Sequence, residues 1–170
     1  MGMIRTLKDS LIYNEGFAYL GEAKTVTLPT LTRKMEGTRA AGMSGELQID
    51  MGMEAMELSL TCGAPMRDLL AQWGTPTVDG IYLRFIGNYQ ADDTAEIDHI
   101  QAIVRGRWSE IEMGDQETGE ASEFSATMAV AYFQLDWNGR TLLRLDPMNM
   151  IEEVSGIDRL AQRRNLLGLF

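Results

Sequence analysis

The chain has 170 residues, 45% of them hydrophobic and 24% charged, which is ordinary globular composition and enough length for one domain with its own core. Twenty-five acidic and 15 basic side chains give a formal net charge of −10, and this argues against tight binding to a nucleic-acid backbone, which needs clustered Lys and Arg. A single cysteine excludes a disulfide framework, and no apolar run approaches the roughly 20 residues of a membrane span, so we expect no membrane anchoring and folding in a reducing cytoplasm.

The first quarter of the chain favours short strands. Asn14-Glu15-Gly16 predicts a tight turn in a hairpin over residues 11–20, because Asn and Gly suit such turns. Residues 24–28 and 30–38 are rich in Thr and other strand formers, and Pro29 between them marks a sheet edge or a bend.

Residues 39–52 combine glycines with methionines, that is, a flexible backbone with adaptable apolar side chains. Most connections in compact domains span about 4 to 6 residues, and longer ones are usually functional or disordered. This segment is therefore either a docking loop or an ordinary mobile loop.

A clean period of two begins after Glu54, with Met56, Leu58, Leu60 and Cys62 on one side, and predicts a half-buried strand. Cys62 lies on the apolar side, so we expect a structural thiol. Residues 65–73 predict a helix that begins at a proline, ends before Gly74 and buries Met66, Leu69, Leu70 and Trp73.

The second half of the chain predicts long antiparallel strands. The strands are expected at residues 81–90, 96–113, 122–137 and 141–145, and Asn138-Gly139 is a strong hairpin signal before the last one. A short helix over 158–164 and an apolar end at 165–170 follow, and that end packs either into the core or onto a neighbour.

No catalytic, cofactor or metal site emerges from the sequence, and we expect no enzyme. His99 is the only histidine and lies in a predicted strand. Residues 114–121 have the glycine spacing of a phosphate loop, but Glu120 and Ala121 replace the Lys and Ser or Thr that hold phosphate and magnesium. The acidic side chains nearby fit a solvated hairpin tip better than a calcium loop.

Seven blocks, in order along nearly the whole chain, resemble the major tail tube proteins of contractile-tailed phages and the related tubes of R-type pyocins. They are Val26–Pro29 with Leu31–Lys34, Arg39–Met43, Asp50–Glu57, Arg105-Gly106-Arg107 leading to Glu110-Ile111, Asp146–Ile151, Gly156–Leu160, and Arg164-Asn165 with Leu167–Leu169.

The resemblance implies a mainly β fold, an antiparallel β-sandwich or barrel of the tail-tube type with one flanking α-helix and a short C-terminal helix. It implies one domain over residues 1–170, with an N-terminal arm at about 1–10, a long stacking loop at about 35–53 and a C-terminal arm at about 147–170. Six copies would close into a ring, and rings would stack into a tube.

The same resemblance implies interface residues in two of these segments. In the stacking loop they are Arg39, Gly42, Met43, Gly45, Ile49, Met51 and Met53. In the C-terminal arm they are Met150, Ile151, Leu166, Leu167, Leu169 and Phe170.

The net charge of the chain predicts how DNA would interact with the inside of such a tube. Residues after position 40 sum to −12, so carboxylates lining the bore would repel phosphate and let DNA pass without specific binding. The candidate lumen or interface acids are Glu54, Glu57, Glu110 and Glu112.

The resemblance also implies partners and a place. The chain would contact copies of itself, sheath protein, baseplate and tail-terminator proteins, and would assemble in the bacterial host cytoplasm into a virion tail or a released tail-like particle. A tube of a headless pyocin-like or type VI secretion-like machine is the alternative. A monomeric β-barrel that binds a ligand remains open as a function of another class.

Overall fold

The computed structural model describes residues 2–18 and 22–169. In this part of the chain the strands are β1 (Arg5–Asn14), β2 (Phe17–Ala18), β3 (Ala23–Thr27), β4 (Arg33–Thr38), β5 (Leu47–Met53), β6 (Met56–Cys62), β7 (Ile81–Ala91), β8 (Ile97–Glu112), β9 (Phe124–Trp137), β10 (Arg140–Asp146), β11 (Ile151–Val154) and β12 (Ile157–Asp158). The helices are α1 (Arg67–Ala71) and α2 (Ala161–Leu166), and a 3₁₀ turn covers Pro147–Asn149.

The main sheet is antiparallel and branches at β9. Its strands follow the order β12-β11-β10-β9-β8-β7-β1-β2. The first half of β9 also pairs with β6, from Phe124↔Cys62 to Val130↔Met56, and β6 pairs with β3. Its second half pairs with β10 instead. This branching lets β3 and β6 face β1 and β7 across a common core, as expected for a β-sandwich or barrel.

The core lies between these two layers and is built by period-two alternation. In β7, Ile81, Leu83 and Phe85 are buried while the residues between them are half-buried. In β6 the predicted apolar side is buried from Met56 to Cys62. The sequence therefore predicted both strands correctly, and for β6 also the buried face.

Helix α1 covers one end of the core through a polar network as well as through Leu69. The side-chain amides of Gln72 and Asn14 exchange two hydrogen bonds of 2.9 Å, and the indole N–H of Trp108 donates to Gln72 at 3.1 Å. Asn14 is only 1% exposed. The network therefore joins the end of α1 to β1 and β8 inside the protein, where unpaired polar groups are costly.

Both predicted tight turns are present. Tyr13↔Ala18 and Asn14↔Phe17 pair across the first one, and Trp137↔Arg140 pair across Asn138-Gly139. Glu15 and Gly16 have φ of 48° and 92°, and Asn138 and Gly139 have φ of 49° and 80°. Two consecutive positive φ values are what a two-residue hairpin needs to match the twist of its strands.

Two helix predictions need correction. Helix α1 covers only Arg67–Ala71, so Trp73 lies beyond its end and is 56% exposed. Helix α2 covers Ala161–Leu166 and not 158–164, because Asp158 belongs to β12. The Asp158 carboxylate accepts the backbone N–H of Leu160 at 3.0 Å, just before that helix begins.

Across the described ranges, no helix is long and apolar enough to cross a membrane.

Candidate assembly surfaces

A two-stranded ribbon, which we call the arm (residues 33–53), projects from the body of the protein. Within the described residues, strands β4 and β5 pair only with each other, from Arg33↔Met53 to Thr38↔Leu47. Every residue of β4 and the first five of β5 are exposed. The segment predicted as a long loop at about 35–53 is therefore an ordered hairpin, whose turn holds Arg39, Gly42, Met43 and Gly45.

One face of the arm carries an uncovered apolar row. Leu47, Ile49 and Met51 alternate along β5 and are 61%, 50% and 54% exposed. Two of them, Ile49 and Met51, are predicted interface residues. Apolar side chains that stand together in solvent mark a surface that another molecule covers.

The base of the arm is fixed to the body by Arg33. Its guanidinium lies 3.0 Å from Asp50 on the facing strand and also binds Glu152 on β11. The backbone N–H of Glu54 donates to the carbonyl of Thr32 at 2.8 Å, which closes the ribbon. The arm and the C-terminal part of the chain therefore meet at one ion-pair cluster.

The N-terminal arm predicted at about 1–10 is, from Arg5 onwards, a strand of the main sheet. β1 pairs with β7 from Arg5↔Ala91 to Asn14↔Leu83. Ion pairs reinforce this edge, since Arg5 binds Glu96 and Asp98 and Lys8 lies 2.9 Å from Asp92. The sequence reading considered a hairpin only over 11–20 and so missed the longer strand.

The C-terminal arm predicted at about 147–170 is also attached to the sheet, and we call residues 147–169 the C-terminal module. β11 pairs with β10, and β12 pairs with β11. Arg164 of α2 donates to the Met150 carbonyl at 2.9 Å and to Asp158 at 2.8 Å. The module is therefore an extension of the body that ends in an exposed helix.

The apolar end of this module remains uncovered in the single chain. Leu166, Leu167 and Leu169 are 80%, 65% and 42% exposed, whereas the predicted interface residue Phe170 lies outside the described residues. Of the two outcomes expected for the apolar end, packing into the core does not occur at these three leucines.

The ion pair between Asp158 and Arg164 inside the module affects the pKa of Asp158. Burial raises the pKa of Asp158, but the bond from Arg164, the backbone N–H of Leu160 and the charges of Arg164 and Arg144 outweigh it. The net effect is a pKa below the ordinary value of this carboxyl group. The charged form of Asp158 is thus the form that holds α2.

A groove of about 470 Å³ separates the arm from the C-terminal module. Four predicted residues line it together, namely Met53, Glu54, Met150 and Ile151. Most of the rest of its wall is apolar, with Val78, Leu145, Met148 and Leu160. The structure thus brings the two predicted interface segments together at the base of the arm.

Three of the four candidate acids lie on one face of the sheet. Glu57 and Arg107 both pair with Ala129, while Glu110 pairs with Thr127 and Glu112 with Ser125. All three acids are exposed. Glu54 lies apart from them in the groove, and the role of all four acids in a bore or an interface stays a prediction.

The environments of the single cysteine and the single histidine are those of structural residues. Cys62 is fully buried, and burial together with the charge of Glu22 raises the pKa of its thiol to about 11. His99 is exposed, and its Nδ1 lies 3.0 Å from the amide oxygen of Asn88. Among the residues that the structure describes, no three His, Cys, Asp or Glu side chains come together as metal ligands.

Comparison with known proteins places the chain in a family. The family described as phage tail tube protein FII matches residues 4–168. The chain is 41% identical to the tail tube protein of Escherichia phage P2 over 99% of its own length and 100% of that protein. The chain belongs to the phage tail tube protein FII family. The suspected relation to contractile-tail tube proteins is confirmed.

Two further likenesses concern a second phage protein and the fold. The major tail tube protein of Serratia phage KSP20 is 28% identical, over 92% of this chain and 91% of that one. A chain in a cryo-EM structure of the sheath/tube terminator of PVC, an extracellular contractile injection system, superposes with a TM-score of 0.56 and 8% identity, covering 76% of this chain and 94% of that one. The second likeness confirms the tail-tube type of β fold.

Sequence reasoning missed the residues that attach the arm in this tail tube protein FII family member. Arg33 and Glu152 are 119 positions apart, and neither belongs to a local pattern that predicts an ion pair. The signal for the ribbon was present, however, because Leu47, Ile49, Met51 and Met53 follow a period of two. The glycines and methionines around them had suggested a loop.

Proposed function

We propose that this chain is the repeating structural subunit of the inner tube of a contractile phage tail. The observation that carries the proposal is end-to-end similarity, at 41% identity, to the tail tube protein of Escherichia phage P2. The geometry supports it, because the body has a buried hydrophobic core while the arm and α2 present uncovered apolar side chains. A surface of this kind suits a protein whose partners are copies of itself.

Six copies close into a ring through a head-to-tail interface, and rings stack with a rotation into a hollow tube. A heterologous interface closes into a ring when its rotation allows, and otherwise continues as a filament. Within the described residues, the outer edge of β3 has no partner strand, and β1 has none on its second edge before Tyr13. Pairing of such edges between subunits would remove the exposed backbone groups.

The arm and the C-terminal module supply the contacts between neighbouring subunits. This assignment covers the arm residues Arg39, Gly42, Met43, Gly45, Ile49, Met51 and Met53 and the module residues Met150, Ile151, Leu166, Leu167 and Leu169. The exposure of the leucines in α2 and of the apolar row in β5 supports it.

DNA passes through the tube without specific binding. Glu57, Glu110 and Glu112 share an exposed face with Arg107 and Arg105, so the acids outnumber the arginines among these residues, and a bore lined by such a face repels phosphate. A charge map of the assembled tube with a basic bore would contradict this part of the proposal. The structural role involves no catalysis, and sheath, baseplate and terminator proteins bind the tube during assembly in the host cytoplasm.

Negative-stain electron microscopy of the purified protein tests the main proposal. We expect rings with six-fold averages, or tubes of uniform width, either spontaneously or after addition of baseplate components as initiator. A monodisperse 19.0 kDa monomer under both conditions would favour the monomeric ligand-binding barrel instead.

A shortened arm tests the stacking role. Replacing residues 36–49 by Asn-Gly joins the strands next to the facing residues Met35 and Asp50 through a turn suited to a hairpin. The body should fold as before, because residues 36–49 are exposed apart from Met43. Tube formation should stop, and unchanged tubes by electron microscopy would refute the stacking role of the arm.

A further inference from the structure

The arm depends on very few contacts for its direction. β4 and β5 pack on each other and share no extensive contact with another element of the described chain. At the base, one backbone hydrogen bond joins Thr32 to Glu54. Met53 at the end of β5 packs against the core, but without a further attachment the ribbon beyond it would swing about its base at residues 31–33 and 53–55.

Arg33 provides such an attachment through its two terminal nitrogens. Nη1 binds Asp50 on the facing strand at 3.0 Å, and Nη2 binds Glu152 on β11 of the body. A planar guanidinium holds two carboxylates in a fixed mutual geometry, which the point charge of a lysine cannot do. We call Arg33, Asp50 and Glu152 the clamp.

The Glu152 end of the clamp lies in the body. The Glu152 side chain is 12% exposed, and within the described ranges Arg33 is the cation that reaches it. A buried carboxylate that loses its cation is strongly unfavourable, whereas a paired one is tolerated. Because losing the pair is so unfavourable, Arg33 stays bound to Glu152. The arm, which contains Arg33, therefore keeps its direction.

The clamp also joins the arm to the strand that carries α2. The carbonyl of Glu152 accepts the backbone N–H of Arg159 at 2.8 Å, and the Asp158 carboxylate next to it binds Arg164 of α2. The arm and α2 thus have the same anchor, β11. Both carry the uncovered apolar side chains described above.

We propose that Arg33 is a positioning residue, which sets the direction of the arm relative to the C-terminal module so that both surfaces meet neighbouring copies in register. The proposal rests on the proposed function for its consequence, the assembly of tubes. The part of the proposal that concerns the free subunit, namely that Arg33 fixes the direction of the arm, does not depend on that function.

Distances between two spin labels measure the arm direction in the unassembled protein. The labels sit on cysteines introduced by Gln48→Cys on β5 and Gln162→Cys on α2, both exposed positions, while Cys62 is buried and does not react. We expect a narrow distance distribution in the otherwise unaltered chain. In Arg33→Gln it should be at least twofold broader, and in Arg33→Lys the width should be intermediate.

Two further variants keep the test falsifiable. Glu152→Gln breaks the clamp without leaving a buried charge, so it should fold and still broaden the distribution. Arg144→Gln is the matched control, because it removes a comparable Arg–Glu pair from the opposite face of β11. A distribution in Arg33→Gln and Glu152→Gln as narrow as in Arg144→Gln would overturn the proposal.

Assembly gives the second readout. Arg33→Gln should lower the yield of tubes at least tenfold, whereas Arg144→Gln should leave it unchanged, with circular dichroism confirming that both fold. If the unaltered chain forms no tubes, the proposed function fails while the label distances still decide the role of Arg33. If tubes of Arg33→Gln form at the normal yield, the clamp is not a positioning device, and the proposed function stands.

Discussion

The body and the arm contain strands of similar sequence that have opposite surroundings. In β6 of the body, Leu58 and Leu60 are at most 1% exposed, whereas Leu47 and Ile49 in β5 of the arm are at least 50% exposed. Both strands alternate apolar and other residues with a period of two. The difference teaches that alternation specifies a strand with one face to be covered, but not which molecule covers it.

The largest expected effect comes from the same substitution in the two regions. Leu60→Ala removes a fully buried side chain and should lower the free energy of unfolding by about 2–5 kcal/mol. Leu47→Ala should change it by less than about 0.5 kcal/mol, because the side chain is exposed. Urea titration followed by circular dichroism measures both values.

Electron microscopy of the same two variants tests a second difference between the body and the arm. Leu47→Ala should fold normally and yet impair tube formation, since in the proposed tube its side chain contacts a neighbouring subunit. Equal losses of stability in Leu47→Ala and Leu60→Ala would show that the arm packs on its own body in solution.

A smaller effect is expected from the polar network inside the body. Gln72→Leu keeps the volume but removes the acceptor of the Trp108 indole N–H and the amide pair with Asn14. Buried polar groups that lose a partner cost about 1–3 kcal/mol, which urea titration resolves. Gln162→Leu on the exposed face of α2 is the control, and an equally small loss in both variants would contradict a structural role for the network.

The smallest effect is a pH dependence at the edge of the body. Because the folded pKa of Asp158 is lowered, its contribution to stability is present above the unfolded pKa and is lost as pH falls through the folded value. Asp158→Asn should therefore lower the melting temperature at pH 7, and the difference from the unaltered chain should shrink below about pH 4. A difference independent of pH would exclude this carboxylate as its source.

Much of the body could be predicted from the sequence, because its determinants are local. The tight turns at Glu15-Gly16 and Asn138-Gly139 and the alternation of β6 and β7 follow from residue type and spacing alone. The extent of α1 does not follow from residue type and spacing, since five residues are too few for periodicity to fix both ends of a helix.

The candidate surfaces were predicted only in part, because what defines them is distant in the chain. The segments themselves followed from the family resemblance, but their form as a hairpin and a sheet extension did not. The ion pair of Arg33 with Glu152 arises when β11 is placed beside the arm base, and no local pattern in the sequence encodes that placement.

The isolation of the arm has a consequence for the strength of single contacts. In the proposed tube, part of the favourable free energy of each docking event offsets the lost freedom of the docking subunit and of the exposed side chains of the arm. One docked arm therefore binds weakly, while a whole ring of arms docks with high avidity, because each engaged arm raises the effective concentration of the others. A misplaced subunit therefore dissociates quickly, whereas a complete ring remains bound.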